Sequence, residues 1–185
     1  MPIRGVIFDL DGTLVDTNRF HVEAWRRAFA AAGYDVFAEK IAARVGVGGD
    51  QLIPAVVGKD AADRDGKKLR GLYKEEFSAI AKRERFGVVP GSVPLLTELK
   101  CRGLKSALAT SSPKDLLELI LHSAGVDFTK LVDETATADD AAASKPAPDV
   151  VLSAIKKLGL SPDECAMVGD PPFDVEACHH AGVPC

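Results

Sequence analysis

The chain has 185 residues and a formal net charge of −4, room for one compact domain or for a domain carrying a modest insertion. Its 23 basic residues against 27 acidic ones leave no broad basic field for a nucleic-acid backbone, so an anionic ligand must be held by local cations or a metal. The apolar runs are too short to cross a bilayer, Asp9 and Asp11 break the N-terminal run before it can form a signal-peptide core, and Cys101, Cys165, Cys178 and Cys185 show no CxxC spacing, which reads as free thiols in a reducing cytoplasm.

In chain order, Ile3 to Phe8 is a short apolar run with β-branched residues and predicts a buried strand that ends in Asp-Leu-Asp-Gly-Thr, with a turn at Gly12. From Asn18 to Ala32 the pattern turns helical, with Phe20, Ala24, Trp25, Ala28, Phe29 and Ala32 on one stripe and Gly33 as the stop. Further helices are predicted over Ala38 to Val45, Asp50 to Val57 and Asp63 to Arg85, the last with Leu69, Leu72, Tyr73, Phe77 and Ile80 as its apolar face and with Gly66 and Gly71 weakening its first half. After Gly87-Val-Val-Pro-Gly91 come a helix from Ser92 to Arg102, a strand from Leu104 to Ala109, a helix opened by Ser112-Pro113 and closed at Gly125, and a short strand near Leu131 to Asp133. A helix from Ala147 to Leu158, a capping-box spacing at Ser161 and Glu164, a strand from Cys165 to Val168 and a helix from Phe173 to Ala181 complete the pattern.

Strands alternating with helices argue for an α/β fold, a doubly wound parallel sheet with a Rossmann-like core. The all-helical stretch over residues 16–86 does not fit that alternation and reads as a module inserted after the first strand, leaving a discontinuous core of residues 1–15 and 87–185. The sequence stops just after the last helix, at Ala-Gly-Val-Pro-Cys185, where an αβ unit calls for another strand. The expectation is therefore that a C-terminal strand and helix are missing, that Cys165 to Val168 has no continuous partner on one side, and that this open edge lowers stability and invites pairing or aggregation.

In such sheets ligands bind at the carboxyl ends of the strands. Four polar clusters fall there: Asp9, Asp11, Gly12 and Thr13; Thr110, Ser111 and Ser112; Lys145 before Pro146; and Gly169, Asp170 and Asp174. Each alone is a weak signal, since an acidic pair is more often a turn, a Thr-Ser-Ser more often an N-cap and a loop lysine more often solvated. Together they point to phosphoryl transfer. Asp9, Asp170 and Asp174 can offer oxygen ligands to a hard cation such as Mg²⁺, which offsets repulsion between a carboxylate nucleophile and a phosphate. A carboxylate can attack phosphorus, a second aspartate two residues on can protonate the leaving oxygen and then activate water, and Thr110 and Lys145 can stabilise charge on the transferring group.

The order Asp9-x-Asp11-Gly-Thr, apolar-Thr110, Lys145-Pro146 and Gly169-Asp170-x3-Asp174 resembles the four signature motifs of the haloacid dehalogenase superfamily. The inserted helices resemble the cap of its phosphoglycolate-phosphatase-like branch, as do the runs GVIFDLDGTLVDT, PGSVPLLTELKCRGLKSALATSS, KPAPDVV and GDPPFDVEACHHAGV. That resemblance implies a Mg²⁺-dependent phosphatase in which Asp9 is the nucleophile, Asp11 is the acid/base and gives a backbone carbonyl to the metal, Thr110 and Lys145 hold the phosphoryl group, and Asp170 and Asp174 anchor Mg²⁺. Gly12, Thr13 and Ser111 join the substrate-binding set. The second aspartate, Asp11, argues against a true haloacid dehalogenase. Pro171 stands where the family often has a small hydroxyl residue, with little expected effect on the metal.

Two other readings stay open. A non-catalytic phosphate- or partner-binding relative would usually have lost Asp9, Asp11 or Lys145. A phosphosugar mutase resembling β-phosphoglucomutase is favoured by His21 and Trp25, four apart on the first inserted helix, but Gly46-Val-Gly-Gly-Asp50 lacks the basic residue that grips a second phosphate. Substrate selection falls to the inserted helices, with His21, Arg44, Gly48 and Gly49 as candidate contacts. The expected ligand is a small phosphorylated metabolite, with no nucleic acid and no membrane, in a cytoplasmic monomer or weak homodimer.

Overall fold

A computed structural model describes residues 2–170 and 172–185; the expectation placed on Pro171 lies outside the described residues. In chain order the elements are β1 (Gly5–Phe8), β2 (Val15–Asp16), α1 (Asn18–Ala31), α2 (Ala38–Ala42), α3 (Gly49–Val57), α4 (Lys59–Ala81), β3 (Gly87–Val88), α5 (Ser92–Cys101), β4 (Lys105–Ala109), α6 (Lys114–Ala124), β5 (Glu134–Ala136), α7 (Asp149–Leu158), β6 (Cys165–Val168) and α8 (Pro172–Ala181).

The central sheet runs β5-β4-β1-β6, with every pairing parallel. Successive strand residues point to opposite faces. Phe8 and Leu108 therefore meet Leu96, Leu116, Ile120 and Phe128 on one side, while Ile7, Ala107 and Met167 meet Val151, Ala154, Ile155 and Cys178 on the other. Covering helices on both faces explain why β1 reads as a continuous apolar run and why β4 is apolar from Ala107 to Ala109. The expected doubly wound fold is the one observed.

Helices α1 to α4 lie between β2 and β3, a two-stranded antiparallel ribbon in which Val15 pairs with Val88 and Asp16 with Gly87. They enclose an apolar cluster of their own around Trp25, Phe29, Ile41, Leu52, Ile53 and Leu69. Each such side chain contributes about 1.5–3 kcal/mol when fully buried. This is why α4 runs unbroken over 23 residues through Gly66 and Gly71, each of which costs only about 1 kcal/mol relative to alanine.

Three elements depart most from their expected bounds. Helix α4 begins at Lys59 and ends at Ala81 rather than Arg85, because Ser123 of α6 takes over the next segment: its hydroxyl donates to the Glu84 carbonyl at 2.6 Å and accepts from the Phe86 amide at 3.2 Å. Helix α2 stops at Ala42, short of Val45; the chain then turns through Gly46, whose φ of 106° favours glycine. Strand β5 starts at Glu134, not near Leu131, since Phe128–Lys130 coils into a short 3-10 turn. The Ser106 amide then bonds the Asp133 carboxylate at 2.8 Å and sets the register of the pairing that follows.

Strand β6 pairs with β1 along its whole length. On its other edge a single backbone bond, from the Met167 amide to the Pro184 carbonyl at 2.9 Å, stands in place of a ladder among the described residues. No described helix is long and apolar enough to cross a membrane.

Candidate active site

The segments that follow β1 and β4, with the first turn of α6, form one wall of a cavity of about 580 Å³, and residues of α1, α3 and α4 form the facing wall; the carboxyl end of β6 stands behind Asp9, at hydrogen-bond distance. Asp9 follows β1, held because its amide donates to the Val168 carbonyl of β6 at 2.9 Å. The chain then folds back sharply: the amides of Thr13, Leu14 and Val15 all donate to the Leu10 carbonyl. Gly12 is needed in that turn. It has φ +87°, and a Cβ there would strike the Asn18 amide and the Asp170 carboxylate. Gly169 is needed for the same reason, because a Cβ would collide with the Asp174 carboxylate.

Lys145 is fully buried. Its ammonium donates to Asp9 Oδ1 at 2.6 Å and to the Ala109 carbonyl at 2.8 Å, and it stands 2.7 Å from Asp174 Oδ1, in ion-pair contact. The solvated-loop reading of this lysine is excluded by that burial. Burial alone would depress the ammonium, but Asp9 and Asp174 overcome it and hold its pKa above the ordinary lysine value. Burial also pushes the Asp9 carboxyl well above its usual range, aided by the charges of Asp174 and Asp11 and opposed by Lys145. Asp174 and Asp170 are raised too, burial again first.

Carboxylate oxygens of Asp9, Asp170 and Asp174 lie within 4.8 Å of one another. Three acidic groups against one lysine leave negative charge unbalanced in a largely buried place, and such charge is costly unless paired. Asp174 Oδ2, Thr13 Oγ1 and Ser111 Oγ are also buried without a hydrogen-bond donor or acceptor among the described residues. The donor set is all oxygen, as a hard divalent cation requires, so these residues fit a metal ion. Asp170 is steadied by Asn18, whose amide donates to Oδ2 at 2.9 Å.

Asp11 is held differently. Thr17 Oγ1 donates to its Oδ1 at 2.6 Å and Ser112 Oγ to its Oδ2 at 3.2 Å, while His21 Nε2 lies 2.8 Å from Oδ1. Burial would raise Asp11, but His21 and then the Thr17 and Ser112 hydroxyls lower it below the usual carboxylate value. His21 Nδ1 in turn meets the Tyr73 hydroxyl at 2.7 Å, and its ring stacks on Phe77 at 4.5 Å. Burial and then the Asp11 charge push the Tyr73 phenol well up. Thr110 has its amide on the Ala136 carbonyl at 3.1 Å and its hydroxyl 3.4 Å from Asp11 Oδ2.

Of the predicted residues, Asp9, Asp11, Ser111, His21, Gly48 and Gly49 line the cavity; Lys145, Asp170, Asp174, Thr110, Gly12 and Thr13 stand around its polar end; Arg44 is exposed and is not part of the lining. Sequence reasoning missed Thr17, Ser112 as a partner of Asp11, Tyr73, Arg70 and Asp50. Thr17 carried a signal of the wrong kind. It sits at the N-cap of α1, yet makes no cap bond and serves Asp11 instead.

The family model for haloacid dehalogenase-like hydrolases matches residues 3–182. The chain belongs to this family. Among its relatives is a phosphoglycolate phosphatase from Shigella boydii, 30% identical over 98% of this chain and 79% of that protein. A hydrolase structure from Pseudomonas syringae superposes with a TM-score of 0.88 at 30% identity, covering 97% of this chain and 81% of that one. CbbY from Rhodobacter sphaeroides, solved in complex with phosphate, is similar with a TM-score of 0.80 at 25% identity, covering 98% and 84%. This haloacid dehalogenase-like hydrolase is therefore an enzyme of the phosphatase branch.

Proposed function

We propose that the protein hydrolyses small phosphomonoesters with Mg²⁺, through a phosphoryl group carried transiently on Asp9. The observation that carries the reading is the arrangement around Asp9: a buried carboxylate with the Lys145 ammonium at 2.6 Å, two further aspartates within metal-ligand reach and Asp11 on the same cavity. Asp9, Asp170, Asp174 and the Asp11 carbonyl would hold Mg²⁺, which supplies charge neutralisation for the attack of an anion on an anion. Lys145, with the Thr110 and Ser111 hydroxyls, holds the phosphoryl oxygens. Asp9 forms the P–O bond as the ester oxygen leaves. Asp11 gives that oxygen its proton and afterwards takes one from the attacking water, which releases phosphate and restores Asp9.

As found, Asp11 is ionised by its donors, which suits the second half of the cycle; the first half requires the His21 and Thr17 contacts to loosen so that Asp11 can carry a proton. Residues 16–86 serve as a cap over a core of residues 1–15 and 87–185, and the cavity between them takes a small phosphorylated metabolite, with His21, Gly48 and Gly49 on the cap side. The relatives named above, one a phosphoglycolate phosphatase and one bound to phosphate, support that ligand class.

A panel of phosphate esters with and without Mg²⁺ tests the reading. Hydrolysis that requires the metal and is lost in Asp9→Asn is expected; turnover by Asp9→Asn at the wild-type rate would refute covalent catalysis. The mutase reading keeps support from His21 and Trp25 on the cavity wall, whereas the Gly48-Gly49 turn offers no cation for a second phosphate. Incubation with β-glucose 1-phosphate and a bisphosphate primer separates the two: phosphate release supports hydrolysis, rapid glucose 6-phosphate formation the mutase.

A further inference from the structure

Ser144 precedes Lys145 and is buried; its hydroxyl lies 3.5 Å from the Lys145 carbonyl, but its two short hydrogen bonds go to the facing helical segment. It donates to Asp50 Oδ1 at 2.6 Å and accepts from the Gly48 amide at 3.0 Å, while the Ser144 amide reaches Asp50 Oδ2 at 3.3 Å. A Cβ on Gly48 would come within 2.7 Å of Ser144 Cβ and 2.6 Å of Asp50 Oδ1, so the contact needs glycine at that place. On its other side the loop is tied to the core, since the Ala142 and Ala143 amides donate to Asp149 Oδ1 at 3.2 and 3.3 Å. The backbone that carries Lys145 is thus suspended between α7 and the first turn of α3.

We propose that Asp50, acting through Ser144 with Gly48, is a positioning residue that clasps the Lys145 loop and sets the ammonium against Asp9. This rests on the phosphatase reading and adds to it a link between the cap and a group of the core. Lys145 has no freedom to correct a displaced backbone, because its ammonium must meet Asp9, Asp174 and the Ala109 carbonyl together. Misplacement of a reacting group by about 1 Å can cost roughly a hundredfold in rate. Asp50 itself is exposed, and apart from a long 3.4 Å contact from the neighbouring Gln51 side-chain amide its carboxylate bonds, among the described residues, only across the clasp.

The test is a double-mutant cycle on kcat and KM for a small chromogenic ester with Mg²⁺. Asp50→Ala is expected to lower kcat by roughly ten- to a hundredfold while KM moves little. Asp50→Asn, whose amide oxygen still accepts from Ser144, should recover most of that loss. In a Lys145→Ala background, Asp50→Ala should cost less than about twofold, because groups that act as a unit are not additive. A wild-type kcat in Asp50→Ala, or the same loss in both backgrounds, overturns the proposal. Hydrogen exchange supplies a readout independent of turnover: residues 142–147 should exchange about tenfold faster in Asp50→Ala, and unchanged exchange overturns the clasp. Should the wild type hydrolyse no ester, the functional reading fails and the exchange result still decides the clasp.

Discussion

The two walls of the cavity are built on opposite principles. On the strand side, Lys145 and Asp174 are fully buried and Asp9 nearly so, and each charge answers another at ion-pair distance. On the helix side, Trp25 stacks on Tyr73 at 4.1 Å between centroids, a glycine turn runs from Gly46 to Gly49, and Arg70 and Asp50 face solvent. Buried charge is expensive unless its partners are in place, so the strand wall tolerates few alternatives in residue type or spacing. The helix wall bears no such cost, and its residue types are those of any amphipathic bundle. On the proposed reading, chemistry belongs to the constrained wall and ligand choice to the free one.

The largest expected effects test the strand wall. Asp9→Asn should lower kcat on the order of 10⁴-fold or more, as removal of a nucleophile from a cooperating set does. The same variant should raise the Tm of the metal-free protein. The folded Asp9 pKa lies above its unfolded value because of burial, so ionisation favours the unfolded chain, and stability is lost as pH rises from the unfolded pKa through the folded one. The neutral amide escapes that loss. A lower metal-free Tm in Asp9→Asn at neutral pH would show that the strand wall is not electrostatically strained. Lys145→Ala should cost roughly 10²–10³-fold in kcat, the scale for one preorganised charge-stabilising donor. It should also destabilise the metal-free protein, since Asp9 and Asp174 are left without their cation; about 3–5 kcal/mol is typical for a buried pair broken this way. Lys145→Arg should not rescue it, because a planar fork cannot replace a compact ammonium among three oxygens. Assays of kcat and thermal melts on both variants check this.

Legibility in the sequence followed the same division. Asp9, Asp11, Thr110, Asp170 and Asp174 stand close behind strand ends that the sheet brings together, and Lys145 joins them from the loop before α7, so the four clusters are legible in the sequence as one set. The strands themselves are readable because β1 and the Ala107–Ala109 end of β4 are apolar on both faces. Boundaries were less so: Ser123 sets where the chain leaves α4, and it lies 39 residues from its partner Glu84, beyond any local pattern. Asp50 and Ser144 meet across 94 residues, and the pairing of His21 with Tyr73 spans 52. Nothing in local spacing marks a contact whose second half is so distant. Arg44 shows the converse: it stands beside the glycine turn, yet it is exposed and is not part of the cavity lining.

Smaller effects probe the seam between the walls. His21→Ala removes the first of the interactions that lower Asp11, so the Asp11 pKa should move upward. The half-reaction that needs Asp11 ionised should then fail at a higher pH, shifting the acid limb of the kcat profile upward, with a loss of roughly tenfold near neutrality, the scale of one hydrogen bond to a charged group. An unmoved limb would separate His21 from Asp11 in function. Mg²⁺ should raise Tm by about 4–8 °C per kcal/mol at the small-domain end and less in a chain of this size, with about 2.7 kcal/mol expected at a hundred times Kd. Asp170→Asn should blunt that shift; an equal shift in the variant would place the ion elsewhere.

The smallest effect belongs to the helix wall alone. Arg70 lines the cavity, and its Cγ lies 3.1 Å from where a Cβ on Gly49 would stand, beside Trp25 at the same distance. It is a cation of the cavity lining that stands against a turn offering none of its own. Because Arg70 is exposed, an anionic group it meets keeps most of its water, and an exposed pair contributes about 0.2–1 kcal/mol. Arg70→Ala should therefore raise KM by no more than about fivefold for a substrate with a second anionic group, and leave both kcat and the KM for an uncharged ester alone. Measuring KM for the two ester types in wild type and variant, at low and high salt, checks this, since a solvated contact should fade as salt rises. A rise of a hundredfold that persisted at high salt would mean that this arginine is desolvated when ligand binds, and the contrast between a charged, buried wall and a solvated, permissive one would no longer hold.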